Sequence, residues 1–156
     1  MRHKIPKIKE VNLELIDPSF YFSDKIKQED ISVSLSVKSS FGKENVIIFF
    51  IHVRYLIEAD QKEKQSLFHT DYLSVIQMEE TDWSNENTIE IEKSFLAHLL
   101  GMSILMVRGS ISQRLSSSFL GTVQLPVINP TSILEESMDS SNENYILNSD
   151  IPGHSE

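Results

Sequence analysis

Thirteen consecutive residues, FLAHLLGMSILMV at Phe95–Val107, form the most apolar run of the sequence. Residue spacing predicts that this run lies inside one long helix over 88–119. One stripe of the helix has the helical period and should be buried: Leu96, Leu99, Leu100, Ser103, Val107, Ile111 and Leu115. Phe95, Met102, Leu105 and Met106 lie outside that stripe. A helix that is apolar almost all round should be covered almost all round, which one small sheet cannot do, so we expect an oligomer.

The expected subunit interface lies on this helix. Its candidate residues are Leu96, Leu99, Leu100, Met102, Leu105 and Met106, with the small residues Gly101 and Gly109. The two glycines and Ala97 follow one line of the helix, where a neighbouring element can approach closely. Simple packing tolerance is the alternative explanation of the glycines.

The chain before the helix predicts an antiparallel sheet. Apolar and polar residues alternate most clearly in Asp30–Ser40, as expected for a strand with one buried and one wet face. The predicted strands cover Val11–Phe22, Asp30–Ser40, Val46–Glu58 and Leu67–Met78, with a hairpin turn at Phe41–Asn45. The third strand is apolar on both faces near its start, at Val46, Ile48 and Phe50, so we expect packing on both faces there.

Composition excludes several functional classes. The 156 residues of 17.9 kDa suit one domain, and a net charge of −9 argues against a general nucleic-acid or anionic-membrane binder. The absence of cysteine excludes a disulfide scaffold, thiol catalysis and thiolate metal sites. No two glycines have a phosphate-binding spacing and the histidines are widely separated. We therefore expect neither a cofactor nor a metal nor a catalytic site.

Charge also divides the chain. Residues 1–10 form a basic N-terminal arm, 11–138 the domain, and 139–156 an acidic tail with few apolar residues, which predicts disorder. Tyr145-Ile146-Leu147 is an apolar island in that tail, and either docks on a groove or stays mobile. Leu125–Pro130 is an extended link, after which Thr131 or Ser132 can cap a short second helix.

Several aromatic residues are candidates for a peptide-binding groove. Phe20, Tyr21 and Phe22 are consecutive, so a strand cannot turn all three to one core, and Trp83 lies in a polar loop. Met78 would add an adaptable contact. The alternative is that these residues belong to the core or to a subunit interface.

The motifs Ala97-His98-Leu99-Leu100-Gly101, Val107-Arg108-Gly109 and Leu125-Pro126-Val127-Ile128-Asn129-Pro130 resemble those of the SecB family of protein-export chaperones. Val107 replaces the family's serine, and Ile128 widens its Pro-Val-Asn. The resemblance covers about 11–136. It implies an α+β fold: a four-stranded antiparallel sheet with a long helix and a short C-terminal helix packed on one face. It also implies a homotetramer, a dimer of dimers.

The resemblance further implies an ATP-independent holdase that binds unfolded polypeptides, preproteins or an antitoxin. The net charge argues against nucleic-acid binding. No segment has the pattern of a signal peptide, and the longest apolar run is shorter than the about 20 residues that cross a bilayer, so we expect a cytoplasmic protein that does not insert into a membrane. In the family the translocase motor docks on an acidic surface, for which Glu79, Glu80 and Asp82 are the candidates here. Three alternatives stay open: a SecB-like chaperone of a toxin–antitoxin system, an interaction module with one folded partner, and an enzyme built around His52, His69 and the acidic loop.

Overall fold

The computed structural model describes residues 2–15, 30–57, 65–116, 118, 120, 123 and 125–149. Within these ranges the chain has the predicted α+β fold: an antiparallel sheet carries a long helix and a short helix. The strands of this sheet are β1 (Arg2–His3), β2 (Lys7–Leu15), β3 (Ile31–Gly42), β4 (Val46–Ile57) and β5 (Gln65–Glu79).

Strand β5 is the centre of the sheet. It pairs with β4 along one edge and with β2 along the other, and β1 continues that second edge at Met78 and Glu79. Strand β4 in turn pairs with β3, which is the edge strand. The basic arm predicted over 1–10 is joined to the sheet, because β1 and the start of β2 pair with β5.

The hairpin between β3 and β4 fixes the register of the sheet. Its turn includes Asn45 at a φ of 57°, a left-handed conformation that asparagine tolerates. With Gly42 paired to Val46, the alternating residues of β4 from Ile47 to Ile57 all face one side and are buried.

Helix α1 (Lys93–Leu115) packs on that side and completes the core. The predicted stripe is confirmed, since all seven of its residues are buried, together with Ile104. Two polar contacts join the helix to β5 within the core: the hydroxyls of Ser74 and Ser103 lie 2.7 Å apart, and those of Tyr72 and Ser110 lie 2.9 Å apart. Helix α1 is long and apolar enough to cross a membrane, but its buried stripe lies against the chain's own sheet, as in the core helix of a soluble protein.

The predicted helix began too early. Thr88–Glu92 forms a strand, β6, in which Ile89 and Ile91 are buried and the residues between them are exposed. Such alternation has the period of a strand. The helix starts at Lys93 and ends at Leu115, and Phe119 lies outside the described residues.

The prediction of a disordered tail was wrong for 139–149. Strands β7 (Ser140–Ser141) and β8 (Asn144–Asn148) form a small antiparallel sheet with β6, in which β8 is central. Tyr145 and Leu147 are fully buried in the main core, and the Tyr145 hydroxyl donates to the Glu135 carboxylate at 2.9 Å. The apolar island thus docks on its own molecule.

Candidate functional site

Two apolar cavities lie in a row beside α1, where Val123 and the segment 125–130 lie along the helix. The first, of about 350 Å³, is lined by His98, Gly101, Met102, Ile104, Leu105, Arg108, Val127, Ile128 and Pro130. The second, of about 280 Å³, is lined by Tyr55, Leu105, Arg108, Gly109, Ile111, Ser112, Leu115, Val123 and Leu125. We call the two together the α1 groove. Leu105 and Arg108 line both cavities and so lie at the junction between them.

The rim of the α1 groove keeps apolar side chains in water. Leu105 is 65% exposed and Val127 is 91% exposed. A soluble protein rarely leaves side chains of this kind next to a concave apolar surface unless that surface binds something. The groove is therefore the strongest candidate site among the described residues.

Local sequence fixes the outer wall of the groove. Pro126 and Pro130 restrict their own φ and that of the residue before them, which keeps the segment extended. Helix α2 (Pro130–Ser137) then begins with Pro130 in its first turn, and the Asn129 side chain accepts a hydrogen bond from the Thr131 N–H at 3.0 Å. The prediction of Thr131 or Ser132 as the cap was wrong, since Asn129 takes that position.

Gly101 lets the two walls approach. A Cβ atom at this position would lie 3.4 Å from Cγ of Pro130, in van der Waals contact with the start of α2. Gly109 has open space around it instead. Of the two glycines in the predicted interface, one therefore contacts the chain's own second helix.

Arg108 lies between the two cavities. Its Nη2 donates to the Pro126 carbonyl at 2.6 Å, which ties the segment to the helix. Within the described ranges no carboxylate pairs with this guanidinium, and its buried Nε finds no hydrogen-bond partner there. The groove thus holds a cation with unused donors between apolar walls. Sequence reasoning named Arg108 as part of the Val107-Arg108-Gly109 motif and gave it no role in binding.

Tyr55 forms part of the floor of the second cavity. The side chain is fully buried, and its hydroxyl donates to the Val123 carbonyl at 3.3 Å. Burial raises the pKa of Tyr55 to about 12, and the neighbouring Arg108 charge opposes that rise only in part. The phenol is therefore neutral throughout the physiological range.

The residues predicted to bind peptide are not part of the α1 groove. Met78 is only 3% exposed and belongs to the core, so its assignment to a groove was wrong. Trp83 is half-buried and packs edge-on against Phe41 with ring centroids 5.8 Å apart, beside the turn of the β3–β4 hairpin. Phe20, Tyr21 and Phe22 lie outside the described residues.

The residues predicted to form the subunit interface divide into two groups. Leu96, Leu99 and Leu100 are fully buried against the chain's own core, so their assignment to a contact surface was wrong. Met102, Leu105 and Met106 are partly or largely exposed on the outer side of α1, with Gly101 and Gly109 beside them. This second group remains available to another chain.

The outer face of the sheet is apolar near the start of β4. Phe50 is 38% exposed, and Ile48 beside it is half-buried. In register, Lys38 lies opposite Phe50 and Lys9 lies opposite Leu73. Lysine stems cover apolar neighbours while their ammonium groups stay in water. This accounts for part of the apolar character on both faces of β4 without a further layer of structure packed on the outer face.

His52 and His69 lie on this outer face, as neighbours on β4 and β5 with ring centroids 6.3 Å apart. Both nitrogens of His52 are occupied: Nδ1 bonds the Asp71 carboxylate, and Nε2 accepts from Arg54 Nε. The acidic loop lies far away, since Glu79 follows Asp71 by eight residues of β5, roughly 26 Å. The two histidines and the acidic loop therefore do not form one site, and no metal-binding cluster occurs among the described residues.

Glu79, Glu80 and Asp82 are exposed together at the end of β5. Hydrogen bonds from the Ser84 hydroxyl and backbone lower the pKa of Asp82, so this carboxylate is charged at neutral pH. Arg2 Nη1 lies 3.9 Å from Glu80 Oε1 in a solvent-exposed pair of little energetic weight. A net negative surface remains at this corner of the sheet, and its role as a partner surface stays a prediction.

Comparison with models of known protein families gives no match. Comparison with curated proteins finds no similar sequence.

Proposed function

We propose that this protein is an ATP-independent chaperone, a holdase of SecB-like type that binds unfolded polypeptides in the cytoplasm. One observation carries the proposal: an open apolar groove runs along α1 with exposed Leu105 and Val127 at its rim. The order of elements, with an antiparallel sheet, a long helix, a proline-fixed link and a short helix, supports the same family.

The physical basis of binding is the removal of apolar surface from water. Each Å² of apolar area that a client covers contributes about 25 cal/mol, regardless of the client's sequence. An extended, unfolded segment offers alternate side chains to such a groove, whereas a folded protein hides them. Affinity for many unfolded chains follows, with no need for nucleotide energy.

A non-enzymatic role agrees with the polar groups of the outer sheet face. A general base needs a free ring nitrogen within reach of a substrate. His52 has none, because Asp71 and Arg54 occupy both of its nitrogens. We therefore favour binding over catalysis.

We further propose that copies of the chain assemble as a dimer of dimers through the outer side of α1. Met106 is half-buried on the side of the helix away from Arg108, and Met102 lies between that side and the first cavity, so an interface there adjoins the α1 groove. Phe95, half-buried at the start of the helix, extends the same surface. The acidic corner Glu79, Glu80 and Asp82 is the surface we assign to a basic partner such as a translocase motor.

Suppression of aggregation tests the holdase proposal. A reduced, denatured client is diluted with stoichiometric wild-type protein, and light scattering is followed. We expect strong suppression by wild type, and several-fold weaker suppression by the double variant Leu105→Asp/Val127→Asp. Phe50→Asp is the matched control, because Phe50 is also an exposed apolar residue but lies on the outer sheet face. Absence of suppression by wild type would overturn the proposal.

Client identity separates export from a toxin–antitoxin role. Pull-down under non-denaturing conditions should recover many unfolded preproteins for an export chaperone, or one antitoxin for a dedicated one. Recovery of a single folded partner in place of these would favour the interaction-module alternative.

A further inference from the structure

We propose that the α1 groove selects client segments in which an acidic residue lies between two large apolar residues, with Arg108 as the partner of the carboxylate. This inference rests on the proposed function and names the class of segment that the groove prefers. It begins from the position of Arg108, which lines both cavities.

Among the described residues, no carboxylate forms an ion pair with Arg108. The Arg108 guanidinium donates one hydrogen bond to the Pro126 carbonyl. Its Nε is buried without a partner among the described residues. Arg108 is half-buried between apolar walls, so an anion that binds there gains a charge-assisted hydrogen bond that is partly shielded from water.

The two cavities set the spacing of the apolar residues. Along α1 the first cavity is lined from His98 to Arg108 and the second from Leu105 to Leu115. The centres of these two stretches of α1 are seven residues apart, which corresponds to about 10 Å along the helix axis. An extended polypeptide covers that distance in about three to four residues.

The position of Arg108 sets the order of apolar and acidic residues in the client segment. Arg108 belongs to the overlap of the two linings, so the carboxylate falls between the apolar side chains. In an extended chain residues i, i+2 and i+4 face the same side. The best segment therefore has an apolar residue, an acidic residue two positions later, and a second apolar residue two positions after that.

The acidic character of the whole protein makes this preference unusual. A chain of net charge −9 repels acidic clients at long range. One cation between the cavities gives a local attraction at short range instead. A client that is basic overall and carries one such acidic segment would be attracted to the protein at long range and to Arg108 at short range.

Three fluorescent ten-residue peptides test the inference. Each has Leu and Phe four positions apart in a serine background, with Asp, Asn or Lys midway. We expect the Asp peptide to bind wild type about tenfold more tightly than the Asn peptide at low salt, and the Lys peptide to bind least. Raised salt should narrow the difference between the Asp and Asn peptides.

Variants assign the effect to Arg108. Arg108→Gln should remove the preference for Asp over Asn, measured as the ratio of the two affinities, and Arg108→Lys should keep part of it. Arg114→Gln is the control, because Arg114 lies on the same helix but pairs with Glu10 and lines neither cavity. If Arg108→Gln misfolds, the affinities of the three peptides for the wild-type protein, at low and at raised salt, are sufficient to test the inference.

Equal binding of all three peptides would overturn this inference and leave the holdase proposal standing. Binding of no peptide, together with no suppression of aggregation, would overturn both. Tight binding of dodecanoate without binding of any peptide would assign the groove to acyl chains and overturn the inference as well.

Discussion

Ser74 and Ser103 form a hydrogen-bonded polar pair within the apolar core. Their hydroxyls are buried and lie 2.7 Å apart, and Ser103 also bonds the Leu99 carbonyl at 3.1 Å. Each hydroxyl therefore satisfies the other, and the pair connects α1 to β5.

A double-mutant cycle tests this pair. Ser103→Ala leaves the buried Ser74 hydroxyl without its partner, so we expect a loss of about 1–3 kcal/mol in the free energy of unfolding. The double variant Ser74→Ala/Ser103→Ala should lose less than the sum of the two single variants, because no polar group is then left unpaired. Strict additivity in urea unfolding would show that the two hydroxyls do not interact.

Tyr55 gives a pH dependence of known sign. Its pKa is raised to about 12 in the fold from the ordinary tyrosine value of 10.0, so the unfolded chain loses this proton first as pH rises. The contribution of Tyr55 to stability is therefore complete below pH 10 and is lost as pH rises towards 12. Tyr55→Phe should be less stable than wild type by about 1 kcal/mol at pH 8, through the lost hydrogen bond to Val123.

This difference between wild type and Tyr55→Phe should shrink as pH rises to 11, because only wild type pays for deprotonation at this position. Tyr72 and Tyr145 titrate in both proteins and cancel in the comparison. Urea unfolding at pH 8 and pH 11 measures the difference in free energy of unfolding between wild type and Tyr55→Phe. A difference that is the same at both pH values would contradict the raised pKa of Tyr55.

At the scale of elements, alternation and helical period predicted most of the fold. The four strands and the buried stripe of α1 follow from residues such as Val33, Leu35 and Leu99, whose spacing records one buried face. The short strands β6 and β8 were missed. Each has only five residues, and β8 lies in a segment whose acidic composition resembles a disordered tail. The pairing of β6 with β8 joins residues far apart in the sequence, and no local sequence pattern predicts it.

Replacement of single residues in β8 tests whether this element belongs to the fold. Leu147 is fully buried and Ile146, its neighbour on the opposite face, is half-buried. Leu147→Ala should lower the free energy of unfolding by about 2–4 kcal/mol and Ile146→Ala by clearly less. Equal and negligible effects in thermal or urea unfolding would mean that the segment is a dispensable tail after all.

The candidate site was harder to predict than the fold. Its wall segment Leu125–Pro130 was recognised as an extended link, but the sequence does not record that the link runs beside α1. The role of Arg108 depends on that neighbour, through the hydrogen bond to Pro126. Met78 was misassigned because strand periodicity does not say which face of a strand is covered.

At the scale of the whole molecule, the outer side of α1 predicts assembly. Met102 and Met106 are only partly covered within one chain, and burial of such side chains drives association. Wild type should have a native mass near four times 17.9 kDa. Met102→Asp/Met106→Asp should be smaller, while Ser34→Asp, on an exposed position of β3, should not change the mass. Native mass spectrometry or light scattering measures this, and a monomeric wild type would contradict the assembly.

The central claim is that unfolded chains bind in the α1 groove, and site-specific crosslinking tests it most directly. The natural chain has no cysteine, so a single introduced cysteine carries a benzophenone label cleanly. With a denatured client present, the label at Val127→Cys, on the groove rim, should give client crosslinks, and the label at Phe50→Cys, on the outer sheet face, should give few. Crosslinks at position 50 and none at position 127 would contradict the account.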